Sequence, residues 1–323
     1  MTITSGRAGS GLICAVAAVG LLAGCSNGPG GTSSQGEKQP KPTVSKIPGV
    51  TSITKLTDTA DLALPVDTYM PTGHALLQTT DAMTTLEQRC VSRFGLRYTP
   101  TEAQLPNFSK NSRRYGVPES LQVAREFGFH MTQNDPRSLP KHLGTPPSPE
   151  VRTVLTATAS QGGLVSSYHG MRLPDGGCVG EADRAITGGD VDQRAGHSPM
   201  AEQIRAHSFE YSTLDPRVIA AQTAWKKCMS AQGYTNYKKT FDASGDERWN
   251  AAAATSQEIA VAVADWQCAK QVNLVGIWFA VESAYQNDQI DKHAEELQQA
   301  REGLLQQSKR VATVLAGGKL SGS

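Results

Sequence analysis

The chain is poor in several things at once, and each shortage removes a class of protein. Neither sign of charge dominates: 31 Lys+Arg stand against 30 Asp+Glu in 323 residues. Such a balance leaves no global field to gather nucleic acid or an anionic surface. Aromatic residues make up only 6 % of the chain. No apolar run reaches the roughly 20 residues that a membrane-spanning helix needs. The motifs of common chemistries are also missing. There is no His-Glu-x-x-His, no His-x-His and no complete phosphate-binding loop. The cysteines include no Cys-x-x-Cys, the short pairing that zinc sites favour. Proline does not recur after Pro216.

What is present begins with an apolar run from Leu12 to Leu22 that closes on Leu22-Ala23-Gly24-Cys25. Arg7 precedes the run, small residues end it, and a polar stretch follows, the layout of a secretory signal. The four-residue close reads as a lipobox, so residues 1–24 are expected to be removed and Cys25 to carry diacylglycerol. Two acyl chains on one cysteine suffice for stable anchoring, where a single chain would not. Without a twin-Arg pair, general secretion is the expected route. The expected location is the extracytoplasmic face of the cell membrane.

That compartment decides how the other cysteines are read. Cys14 leaves with the signal, and Cys90, Cys178, Cys228 and Cys268 remain, an even set that outside the cytosol implies two disulfides. Four cysteines allow three connectivities. A faint internal repeat favours one of them. Cys90-Val-Ser-Arg-Phe-Gly95 and Cys228-Met-Ser-Ala-Gln-Gly233 share Cys, Ser and Gly at equal offsets, and Asp175-Gly-Gly-Cys178 and Asp265-Trp-Gln-Cys268 share Asp-x-x-Cys. An ancient duplication of one stapled helix pair would join Cys90 to Cys178 and Cys228 to Cys268.

The expected fold class is mainly α: a disulfide-stapled helical body, a proline-rich irregular segment with a short hairpin, and a long C-terminal helix or helical hairpin. Residues 25–60 read as a flexible tether, 61–195 as a mixed helical and loop half, 196–317 as a helical half, and 318–323 as a disordered tail. In the first half Met83, Leu86, Cys90 and Phe94 share one helical face, with Asp81 as the cap and Gly95 as the stop. Residues 118–128 suggest a second helix with Pro118 in its first turn, and 151–172 alternates loosely enough for a hairpin. In the second half Asp215-Pro216 starts a helix carrying Val218, Ala221, Trp225 and Cys228. Residues 255–315 read as one very long helix or two broken near Gly276, opened by a capping box at Thr255-Ser256-Gln257-Glu258. Leu274, Ile277, Trp278, Val281 and Tyr285 form a broad stripe. Ile290, Leu297, Leu304 and Val311 then recur every seven residues as a narrow seam, which suits an arm that folds back or docks on a partner helix. All four tryptophans fall in the last third, so the best-built core is expected there.

Candidate chemistry is thin. The seven histidines, His74, His130, His142, His169, His197, His207 and His293, are scattered and read as surface residues. Ser166-Ser167-Tyr168-His169 sets hydroxyls beside an imidazole, yet sequence neighbours rarely build a triad. Glu126, Glu181 and Glu210 lack an evident partner carboxylate for glycosidase-type work. Arg113-Arg114-Tyr115 reads as a solvated basic-aromatic loop that could meet anionic wall polymer. The expectation is no catalytic residue, no metal ligand, no cofactor and no nucleic-acid partner.

The lipobox, Trp-x-x-Cys-Met-x-x-x-Gly-Tyr at 225–234, Gly-Gly-Cys-x-Gly-Glu-Ala at 176–182 and Asp-x-x-Cys at 265–268 together resemble uncharacterised secreted lipoproteins of actinomycetes such as Streptomyces. The resemblance implies lineage and location, assigns no catalytic residue, and hints at an accessory role beside a transporter or the wall. The functional expectation is a non-enzymatic, membrane-anchored envelope protein that binds a partner or assists a transporter. The alternative is an extracytoplasmic lipoprotein that binds or senses a small molecule.

Overall fold

The computed structural model describes residues 47–56, 58–100, 110–132, 146–190 and 193–320. The expected signal, Cys25, most of the tether, His142 and the last three residues lie outside them. Ten α-helices and one two-stranded ribbon build the described part, as the mainly α expectation requires.

The first helix, α1 (Gly73–Arg93), is capped by Thr72, whose hydroxyl accepts from Ala75 N. Asp81, the expected cap, lies inside the helix. The helix begins about two turns earlier because Thr72 satisfies the first free N–H groups there. Met83 and Leu86 pack into one small aliphatic cluster, while Cys90 and Phe94 enter another, so the expected face is the packed face. Gly95 ends α1 with φ 73°. Next comes α2 (Leu121–Phe127), capped by Ser120 and closed by Gly128; Pro118 precedes it and takes no part in its first turn. The expected hairpin region divides. Its first part is α3 (Pro149–Thr156), started by Ser148 and Pro149, and only its end forms the antiparallel ribbon β1 (Ser167–Tyr168) and β2 (Met171–Arg172). The serine–proline start outweighed the loose alternation of the sequence.

Helix α4 (Gly177–Thr187) starts on the Asp-Gly-Gly turn. Gly177 has φ 68°, and a Cβ there would run into the carbonyl oxygen of Leu155, so this position requires glycine twice over. Cys178, in the first turn of α4, is bonded to Cys90 near the end of α1.

The second half holds α5 (Pro199–Thr213), α6 (Pro216–Ala231), α7 (Thr240–Ser244), α8 (Ser256–Gln271), α9 (Leu274–Lys292) and α10 (Ala294–Leu315). Asp215 caps α6 as expected, accepting from Arg217 N. The segment read as one or two helices is three. Its first break falls at Val272-Asn273, where Asn273 adopts φ 51°, and its second at His293. Gly276 sits inside α9 instead of breaking it. A Cβ at that site would strike the Thr54 carbonyl, so the glycine lets an incoming strand of chain pass close to the helix.

That passing chain corrects the tether boundary. Arg217 donates to the Pro48 carbonyl, Asn273 bonds both Leu56 N and the Thr54 carbonyl, and Thr59 N donates to Glu119 O. Residues 48–56 and 58–59 are therefore docked on the body. The tail is shorter than expected too, because Leu320 packs into the cluster formed by Ala82, Ile186, Val311 and Val314.

The main core lies where the tryptophans predicted. Trp225, Trp249 and Trp278 are buried with Tyr115, Tyr237, Tyr285, Met229 and Leu274, and the Cys228–Cys268 disulfide runs along its edge. Along the seam of α10, Leu297 packs with Val66, Ala201 and Ile204, and Val311 packs with Ala82 of α1 and Ile186 of α4. The C-terminal helix thus folds back across the first half rather than along its own hairpin partner.

Candidate functional site

The chemistry-bearing residues converge where the turn at residues 110–116 meets α5 and α9. Glu282 of α9 is fully enclosed, and the Arg114 side chain beside it keeps only 9 % of its exposure. Arg114 Nε reaches both carboxylate oxygens, at 2.8 and 2.9 Å, and Nη2 reaches Oε1 as well. Tyr115 Oη donates to Glu282 Oε2 at 3.0 Å, Gln286 Nε2 to Oε1 at 3.2 Å, and Ser208 Oγ lies 3.4 Å from Oε1. Four donors around one carboxylate are what a buried charge requires. Burial, and then the neighbouring Glu282 charge, push the Tyr115 phenol well above its usual range, so it stays a donor.

This network ties distant chain segments together. Gln286 Oε1 accepts from Val66 N, and Asn111 donates to Asp67 while accepting from Arg205. The Arg114 guanidinium lies 5.0 Å from the Phe209 ring centre, and Phe209 stacks on Trp278, which also stacks on Tyr115. The Arg113-Arg114-Tyr115 motif is therefore no solvated loop. Its second arginine and its tyrosine are internal, because the tyrosine belongs to the Trp278 stack and carries the arginine in beside it.

Above this network opens a cleft of about 480 Å³ lined by Met70, Arg114, Glu202, Arg205, Ala206, Phe209 and Glu210. Arg205 donates through Nη2 to Lys110 O and Asn111 Oδ1, while its Nε is buried without a partner among the described residues. Burial, and then the charge of Arg114, lower the Arg205 pKa. Glu202 accepts from His197 and from Ser198 N. Of the three glutamates singled out in the sequence, Glu210 reaches this cleft, Glu181 pairs with Arg93 on the surface, and Glu126 stays on α2. A second concavity, about 230 Å³, lies between α1 and α10 and includes Leu304, Leu305 and Val311.

Two further buried carboxylates serve the frame. Asp265 accepts from Trp225 Nε1 at 2.8 Å, and burial raises its pKa well above the ordinary value. Glu258 accepts at Oε1 from Phe129 N and meets His130 Nδ1 at 2.7 Å, while His130 Nε2 faces the Ala251 carbonyl at 2.8 Å. Glu258 therefore does not close the expected capping box, although Thr255 still caps α8. His130 is an internal linker between α2 and α8, not a surface residue. Ser166 and His169 both lie in the ribbon, where His169 takes the turn with φ 47° and stacks edge-on against Tyr168. Among the described residues no group of three His, Cys, Asp or Glu is arranged to hold a metal, and no helix is long and apolar enough to cross a membrane.

Sequence reasoning missed Glu282 and Asp265 as buried polar residues and Arg205 as a half-buried one. Glu282 did carry a signal: it falls between Val281 and Tyr285, inside the apolar stripe of α9, where a charged residue needs an internal partner. Comparison with family models, with curated proteins and with solved structures finds no match for this chain.

Proposed function

We propose that this chain is an extracytoplasmic lipoprotein, held at the outer face of the cell membrane through lipid on Cys25, that works by binding rather than by turnover. The observation that carries this reading is Leu22-Ala23-Gly24-Cys25 at the end of an apolar run, ahead of a body braced by two disulfides. Disulfides persist in oxidising compartments, and the lipobox supplies the route to one. The likeness to secreted actinomycete lipoproteins supports the same address. The buried carboxylates support binding over catalysis: Glu282, Glu258 and Asp265 are each engaged by internal donors. On this reading the protein is a partner-binding or transporter-accessory component of the envelope. Fractionation tests the anchor. Cys25→Ala should move the protein from membranes to the medium, and retention of the variant on membranes would refute lipid anchoring. Crosslinking and pull-down from native membranes should then recover one stable envelope partner.

A second reading has its own support. The cleft over Arg114 and Arg205 lies within the size range of small-molecule sites, which favours ligand binding or sensing. A ligand-dependent rise in melting temperature without any stable partner would select it.

A further inference from the structure

The cleft on α5 carries charges of both signs at fixed spacing, and their pairing differs. Arg114 is neutralised from beneath by Glu282, and Glu202 is engaged by His197 and Ser198 N. Arg205 and Glu210 are not so committed. Arg205 binds only neutral oxygens, the Lys110 carbonyl and the Asn111 amide. Glu210 lines the cleft with its side chain exposed. The hydrogen bonds of Arg114 to described residues run through Nε and Nη2 and those of Arg205 through Nη2, which leaves Nη1 of each without a described acceptor.

We infer that this cleft binds a short peptide of two or three residues, its carboxylate on Arg205 and Arg114 Nη1 and its ammonium on Glu210. The inference rests on the small-molecule reading above and is independent of the lipid anchor.

Three arguments lead to that class. The first is charge. A simple anion would meet Glu202 and Glu210, and a simple cation would meet two guanidinium groups. A ligand with both charges is complementary at both ends. The second is distance. Arg205 and Glu210 are five residues apart on one helix, about 7.5 Å of axial rise and about 140° around its axis, so they flank the cleft from opposite sides. An extended peptide of two or three residues separates its terminal charges by roughly 7–10 Å, while a single amino acid holds both charges on one carbon and cannot reach across the axial rise alone. The third is surface. Met70, Ala206 and the Phe209 edge lie along the same cleft and offer apolar contact for a side chain. The guanidinium pair adds a reason for a carboxylate in particular. Burial, and then the Arg114 charge beside it, lower the affinity of Arg205 for its proton, and a ligand carboxylate between the two guanidinium groups relieves that repulsion while supplying acceptors for their N–H groups.

Calorimetric titration of the detergent-solubilised full chain tests this with leucyl-leucine, N-acetyl-leucyl-leucine and leucyl-leucinamide. A mixture of dipeptides covering all twenty side chains guards against a wrong choice of side chain. The expected result is binding of free dipeptide that weakens at least tenfold when either end is blocked. Arg205→Gln should weaken it at least tenfold. Glu210→Gln, an exposed change that leaves the fold intact, should weaken the free dipeptide severalfold and leave the acetylated one unaffected. Equal binding of free and acetylated peptide would overturn the peptide assignment while leaving a small-molecule site in place. No heat from any dipeptide, and none from acetate or benzoate, would overturn both. Binding unchanged in both variants would place the ligand elsewhere and overturn the inference.

Discussion

The two stapled regions solve one problem with different materials. In the first, Cys90 ends α1 and Cys178 opens α4, and the cluster around them is mostly aliphatic and small: Val91, Val151, Val154, Leu155 and Leu173. In the second, Cys228 ends α6, Cys268 closes α8, and three buried tryptophans surround the network of internal charges. The shared limb is real in structure. Each first cysteine stands three residues before its helix ends, and the glycine that follows takes a positive φ, 73° at Gly95 and 92° at Gly233. The other limb diverges. Asp175 is exposed in a turn ahead of α4, whereas Asp265 is buried within α8. The lesson is that similar short motifs can specify the same covalent pairing with opposite environments around it.

The comparison is sharpest at the disulfides. Their loops span 88 and 40 residues, for which chain entropy alone assigns each roughly 4–5 kcal/mol. Replacing Cys90 and Cys178 by alanine should open the first region to protease at residues 149–175 while the tryptophan core stays closed. Replacing Cys228 and Cys268 should lower global stability without that local opening, because the aromatic cluster remains. Limited proteolysis with urea unfolding reads both. Identical cleavage patterns for the two variants would erase the distinction between the regions.

Charge gives the next contrast. Glu282→Ala strands Arg114 in the interior and should cost about 3–5 kcal/mol in urea unfolding. Glu181→Ala removes a pair with Arg93 whose side chains are 55 % and 36 % exposed, and should cost under about 1 kcal/mol. Similar losses would mean that the Arg114 network contributes no more than a surface pair.

pH separates two aspartates within the second region. Asp265 has a raised pKa in the folded chain. Its contribution is therefore whole below the unfolded value, near pH 4, and declines as pH rises. Asp215 is the reverse. Burial alone would raise it, but hydrogen bonds and charge from Arg217 lower it overall, so its contribution holds above pH 4 and is lost in acid. Asp265→Asn keeps an acceptor for Trp225 and removes the titration. Its melting temperature should fall less between pH 4 and pH 8 than that of the unaltered protein; an unchanged slope would refute the raised pKa of Asp265.

The smallest effect concerns the start of α1. Thr72→Ala should cost about 1 kcal/mol as a lost cap, and Asp81→Ala within about 0.5 kcal/mol, as at an ordinary surface position.

Much of the frame was legible in the sequence because its signals are local. Asp215-Pro216, Gly95, Gly128, Gly233 and the apolar stripe of α9 each act through neighbours a few residues away. The α1 start was misplaced because Asp81 and Thr72 are both good caps by type, and only the packing of α1 against α4 and α10 decides how far the helix extends. The docked residues 48–56 were invisible because their composition is that of a tether, while their fixation depends on Asn273 and Arg217 more than 160 residues away. The cleft was least legible of all. Arg114, Arg205, Glu210 and Glu282 come from three separate elements, and no spacing along the chain brings them together.

Mass spectrometry of the intact protein purified from its native membranes tests the account most directly. The account predicts a chain that begins at Cys25, bears diacylglycerol on that sulfur, and lacks the four hydrogens released by forming two disulfides. A chain that still begins at Met1, with all its thiols free, would contradict it.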